Sequence, residues 1–88
     1  MDEEPRIQFP CADYPIKVIG ASSETLVSTV VAIVREHDEG FEEATVEERR
    51  SREGNYTSVR LSIRATGEPQ LKALHEALMA HPLVKLVL

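Results

Sequence analysis

Three histidines, one cysteine and a run of acids are the residues of this 88-residue chain that could ligate a metal, move a proton or attack a substrate. His37, His75 and His81 are too scattered to share the ligand spacing of a zinc site. His37 and His81 suit helix ends, where a cation complements the backbone dipole, and His75 suits the border of an apolar helix face. Cys11 has no neighbouring base and no second thiol, so a small apolar role near Phe9 is expected of it. Glu36, Asp38, Glu39, Glu42 and Glu43 lack the spacing of a calcium loop and read as a solvated connection. No catalytic residue, metal site or cofactor is expected. Without a paired acid, base or nucleophile the chain reads as a non-enzyme.

Anion binding is the chemistry the sequence does offer, and it offers it twice. Gly20-Ala21-Ser22-Ser23 leads into a helix N-terminus, where free amides and the helix dipole favour negative charge, so Gly20, Ser22 and Ser23 form one candidate ligand set. The same residues also suit a tight turn and a helix cap with no ligand at all. The second set is Lys17, Arg49, Arg60 and Arg64. Guanidinium forks match carboxylates and phosphates, provided that folding places these side chains on one surface, where weak solvated ion pairs are the competing outcome.

Positioning those groups takes a sheet and helices, and the apolar periodicity supplies both. From Tyr56 to Thr66, Val59, Leu61, Ile63 and Ala65 alternate with Tyr56, Ser58, Arg60, Ser62 and Arg64, the period of a half-buried strand. Pro15 to Ile19, stopped by Gly20, predicts a first strand with Ile16 and Val18 inward and Lys17 and Ile19 outward. Leu26, Val27, Val30, Val31 and Val34 then recur at helical spacing behind the candidate caps Ser22 and Ser23. This helix should fade between His37 and Gly40, with Gly40 able to take a left-handed position.

Ala44 to Arg52, followed by Gly54-Asn55, predicts the first arm of a hairpin. Setting Val46 opposite Leu61 brings Glu47 to Arg60, whereas setting Val46 opposite Ile63 brings Arg49 to Arg60, so charge favours the first register. A second helix runs from Glu68 to about Ala80, with Pro69 in its first turn and Leu71, Leu74, Leu78 and Met79 as its stripe. Pro82 ends it, and Leu83 to Leu88 makes a last strand.

The order strand, helix, strand, strand, helix, strand implies an α+β, ferredoxin-like βαββαβ sandwich: a four-stranded antiparallel sheet with two helices on one face. Residues 14–88 form that single domain, and residues 1–13, with Pro5 and Pro10 and little periodicity, form a flexible N-terminal arm. So short a chain needs nearly all its apolar residues for the core, which leaves function to the surface. The open sheet face then carries Lys17, Arg49, Arg60 and Arg64. RNA binding on that face is a lesser expectation, because Lys17, Ile19, Arg60 and Ser62 stand where a base-stacking sheet needs aromatics. A formal charge of −5, with 42% hydrophobic and 28% charged residues, argues against a general nucleic-acid or membrane binder. The single cysteine, the polar acidic start and the absence of a long apolar run point to the cytoplasm and to no membrane.

Phe9-Pro10, Pro15 to Gly20, Gly54 to Val59 and Leu83 to Leu88, in this order and at this length, resemble the YbeD-like family of short uncharacterised bacterial proteins. That resemblance implies a ferredoxin-like fold similar to ACT-type regulatory domains, and a gene neighbourhood often shared with lipoate-biosynthesis enzymes. It brings no catalytic residues. The function expected is a non-catalytic regulatory or adaptor domain acting through protein contacts. Its partner is an unknown protein, or a second copy joined through the C-terminal edge strand, which is much less protected by charge than the hairpin edge. The alternative implied by the ACT likeness is a sensor of a small anionic metabolite at Gly20, Ser22 and Ser23.

Overall fold

The computed structural model describes residues 11–88. The expected arm lies outside the described residues up to position 10, as does the ordering expected near Phe9-Pro10 and the side-chain role expected of Cys11. The elements are β1 (Cys11–Ala21), α1 (Leu26–His37), β2 (Glu47–Arg50), β3 (Tyr56–Ala65), α2 (Glu68–Met79) and β4 (Val84–Val87). The strands form one antiparallel sheet in the order β2-β3-β1-β4, and both helices cover one face. This is the ferredoxin-like α+β arrangement.

Burial follows the alternation read from the sequence. Ile16 and Val18 of β1 and Val59, Leu61, Ile63 and Ala65 of β3 are buried with Leu26, Val30, Val31 and Val34 of α1 and Leu74 and Leu78 of α2. Phe41, in the middle of the acidic connection, is also buried. Met79, expected in the α2 stripe, is instead 41% exposed, one helical step round from the fully buried Leu78.

Three boundaries moved. β1 starts at Cys11 rather than at Pro15: Cys11 pairs with Ala65, and an irregularity between Cys11 and Tyr14 absorbs the change of register. Pro15 is tolerated inside this central strand for a geometric reason. Lys17 and Leu88 exchange backbone bonds of 3.1 and 2.8 Å, so the nitrogen of Pro15, two residues earlier, points the same way but past the paired length of β4. α1 begins at Leu26, later than the caps Ser22 and Ser23 imply. β2 is only four residues long, because Glu43–Thr45 forms a 3₁₀ turn held by the Thr45 hydroxyl on the Glu42 carbonyl at 2.8 Å.

The hairpin register is the one with Glu47 opposite Arg60. Charge is not what holds it, since these two side chains form no ion pair within 4.0 Å; among the described residues that criterion is met by Arg35 and Glu43. Turn chemistry holds it instead. Ser51 donates its amide to the Tyr56 carbonyl at 2.7 Å and accepts the Tyr56 amide on its hydroxyl at 3.1 Å, and Gly54 takes a φ of 80° that a side chain would resist.

Where α1 ends, two polar side chains do what Gly40 was expected to do; Gly40 is not left-handed. The Asp38 carboxylate accepts the amides of Gly40 at 3.2 Å and Arg64 at 3.0 Å. Gln70 accepts the Thr66 amide at 2.8 Å and donates to the carbonyls of His37 at 2.7 Å and Arg64 at 3.1 Å. Together they tie the end of α1, the end of β3 and the start of α2. Histidines finish the helix ends locally: His37 Nδ1 lies 3.0 Å from the Ile33 carbonyl, and His81 Nδ1 accepts the Leu83 amide, which makes it a turn former rather than a dipole partner.

Gln70→Ala removes three hydrogen bonds at a junction of three elements, so it should lower unfolding free energy by about 2 kcal/mol in chemical denaturation, against a few tenths for the exposed neighbour Lys72→Ala.

Candidate functional site

The loop from β1 to α1 is built mainly by packing. A Cβ on Gly20 would stand 2.6 Å from the Leu83 carbonyl oxygen and 2.8 Å from a methyl of Leu26, so glycine is required there by the neighbouring strand and the first residue of α1. Ser22 turns inward. Its hydroxyl hydrogen-bonds that of Thr57 at 2.8 Å, which satisfies the one buried polar side chain among the described residues, and its amide reaches the Asn55 carbonyl at 3.1 Å. Ser23 accepts the Thr25 amide at 3.1 Å and meets the Thr25 hydroxyl at 3.0 Å, holding the turn that leads into α1. Thr25, the residue preceding the helix, makes no side-chain cap of its own. The loop opens onto a shallow depression shared with Arg50 and Gly54 of the hairpin, and Glu24 also lines it.

The uncovered sheet face is organised in rows that the register defines. Glu47, Arg60, Lys17 and Leu88 follow one another straight across the four strands, and the next row reads Arg49, Ser58, Ile19, Leu86. Beyond it, Tyr56 stands opposite Ala21, and on the other side Ser62 stands opposite Pro15. Lys17 and Arg60 are therefore direct neighbours and Arg49 is one row away. Arg64 is separate: four residues along β3 from Arg60, roughly 13 Å at strand rise, it lines a different hollow with Asp13, Asp38 and Glu42. The cationic set expected from sequence is thus a group of three plus an arginine set among acids. A depression of 490 Å³ lies on the face, lined by Pro15, Lys17, Glu47, Arg60, Ser62 and Leu88 among others.

β4 carries an irregularity the sequence did not signal. Ile19 pairs with Leu86 but Gly20 pairs with Val84, so Lys85 is an extra residue, and the bulge lets Val84 and Val87 both turn toward the helices. Leu86 and Leu88 are left on the open face, 45% and 66% exposed. A second unsignalled feature is an apolar cleft of 280 Å³ between α2 and the sheet, lined by Tyr14, Ile16, Leu71, Leu74, Leu78 and Val87 with Lys72, His75 and, from the sheet edge, Leu88. It arises where α2 and the β4 side of the sheet diverge, a tertiary spacing that no local pattern encodes.

Among the described residues, no three His, Cys, Asp or Glu side chains are grouped so as to hold a metal, and no helix is long and apolar enough to cross a membrane.

Residues 4–88 match the family model described as "Protein of unknown function (DUF493)". The chain is similar to a UPF0250 protein of Janthinobacterium sp. (strain Marseille), 44% identical over 97% of this chain and 92% of that one. It is likewise similar to a UPF0250 protein of Nitrosomonas europaea, 41% identical over the whole of both chains, and to one of Pseudomonas putida, 46% identical over 94% and 90%. Among solved structures, the ACT domain from the GTP pyrophosphokinase of Chlorobium tepidum superposes with a TM-score of 0.58, covering 88% of this chain and 97% of that domain at 15% identity. At that identity the likeness is one of fold.

The pairing of Ser22 with Thr57 gives a test of how structural the loop is. Ser22→Ala should cost about 1–2 kcal/mol by leaving the buried Thr57 hydroxyl unpartnered, while adding Thr57→Val should return most of the loss, as read by denaturant midpoints of the four-member cycle.

Proposed function

We propose, for a chain that belongs to the DUF493 family of proteins of unknown function, a non-catalytic regulatory or adaptor role exercised through contacts with protein, the first of them at the outer edge of β4. The supporting observation is the contrast between the two sheet edges. β2 presents Glu47, Glu48, Arg49 and Arg50, all exposed, a charged edge that discourages strand addition. β4 presents valines, Lys85 and the exposed Leu86, followed by the exposed Leu88. Because Leu88 bonds to Lys17 through both its amide and its carbonyl, the backbone alternates so that the amide and carbonyl of Val87 point outward, ready to pair with an added strand.

A second copy of this chain is the partner of choice. Two β4 strands running antiparallel about a twofold axis near Leu86 set each Lys85 opposite the partner's Val87 rather than opposite a like charge, and join two sheets into one. A metabolite-sensing loop draws less support. Gly20 and Ser22 are occupied by internal contacts, which leaves Ser23 and Arg50 to bind an anion beside the carboxylate of Glu24.

Sedimentation equilibrium should give a mass that rises with concentration from 9.8 kDa toward twice that value, and the Val87 amide should exchange more slowly with deuterium in concentrated than in dilute protein. Val87→Pro, which removes the outward donor, should keep the helical circular dichroism and lose the dimer. A single-chain mass at every concentration up to about a millimolar, with unchanged Val87 exchange, would refute the proposal.

A further inference from the structure

We propose that the open sheet face docks an acidic amphipathic helix of a partner protein, with the helix's apolar side on Ile19, Leu86 and Leu88 and its carboxylates over Lys17, Arg60 and Arg49. This rests on the non-catalytic, protein-binding role above but uses a different surface from the β4 edge.

Large exposed apolar side chains are concentrated here. Of the four most exposed among the described residues, Tyr56, Met79, Leu86 and Leu88, three belong to the open face by register. In the two rows that cross all four strands, Glu47, Arg60 and Lys17 lead to Leu88, and Arg49 and Ser58 lead to Ile19 and Leu86, so a cationic stripe toward β2 and β3 adjoins an apolar stripe over β4, and β1 gives Lys17 to the first and Ile19 to the second. Neighbouring strands are about 4.8 Å apart, so the two stripes together span roughly 15 Å. A helix of about 10 Å diameter laid along the apolar stripe therefore brings one of its flanks over the cations. The 490 Å³ depression brings Lys17 and Arg60 together with Leu88, alongside Pro15, Glu47 and Ser62.

The choice of occupant follows from chemistry. The backbone bonds of the sheet lie in its plane, so a strand laid on the face would leave its own amides and carbonyls unpaired, whereas a helix satisfies them internally. Three cations, Lys17, Arg49 and Arg60, against the carboxylate of Glu47, on a chain of formal charge −5, select acidic side chains. Two copies placed face to face would set the cationic stripe against itself or against leucine. Single-stranded nucleic acid needs stacking platforms, and among the described residues the aromatic on this face is Tyr56, at one end.

A fluorescein-labelled peptide of about five helical turns, with leucines along one side and glutamates along the flank, is the probe, and its counterpart carries lysines in place of the glutamates. By fluorescence anisotropy, the glutamate peptide should bind saturably. Affinity should fall about tenfold with Arg60→Glu or Lys17→Glu, about as much with Leu86→Ser, and little with Arg35→Glu on the helix side of the domain. Raising salt from about 50 to 500 mM should weaken it further. All four positions are exposed or half-exposed, so unchanged circular dichroism and melting will verify folding. Equal binding of the lysine peptide, indifference to Arg60→Glu and Lys17→Glu, or no saturation would overturn the proposal. So would tighter binding of an oligothymidylate, or of phosphatidylglycerol vesicles, at the same residues. The Val87→Pro chain should bind the peptide as the parent does; a chain that dimerises but ignores the peptide defeats this proposal alone, and one that binds the peptide without dimerising defeats only the edge contact.

Discussion

Two helices can cover one face of a four-stranded sheet, and the described residues supply no third layer for the other. Everything else in the structure answers to that constraint. β1 and β3 lie in the middle of the sheet, and their inward positions meet α1 and α2 with almost no exposed area: Val18, Val59 and Ala65 have none. The outward positions of the same strands must remain wet or find a partner, which is why serine and arginine alternate with the core of β3.

A core this thin is held at its rims by polar contacts rather than by more apolar area. Asp38 and Gln70 close one end of the sandwich by accepting or donating to the backbone of three elements. Ser22 and Thr57 close the other, beside the glycine whose missing side chain lets the Leu83 carbonyl and Leu26 approach. The Ser22 contact satisfies the hydroxyl of the buried Thr57, while the Asp38 and Gln70 contacts, largely exposed, tie the ends of elements together. The loop that looked most like an anion site is, in its first half, one of these rims.

The fold was legible in the sequence because its signals are local and periodic. Val59 to Ala65 alternate without interruption, Val30, Val31 and Val34 fall on one helical face, and Pro69 and Pro82 bracket α2. The hairpin register was read correctly from Glu47 and Arg60, yet the force that sets it lies in Ser51 and Gly54, whose contacts arise only once the turn closes. What stayed illegible depends on distant pairs. Nothing near Asp38 marks it as the acceptor for the Arg64 amide, 26 residues away, and nothing in the acidic run marks Phe41 for burial. Arg64 shared an alternating pattern with Arg60, and the pattern carries no information that their hollows differ. The 490 Å³ depression and the 280 Å³ cleft likewise belong to the spacing between elements rather than to any one of them.

The bulge at Lys85 has a consequence for time rather than for shape. By turning both Val84 and Val87 inward it ends the straight course of β4 after a few residues, so an incoming strand meets only a short run of outward backbone groups before the edge twists away. Few ladder bonds hold such a strand, and the twist denies a third chain a flat template. An association of the proposed kind at this edge would therefore part quickly and stop at two copies.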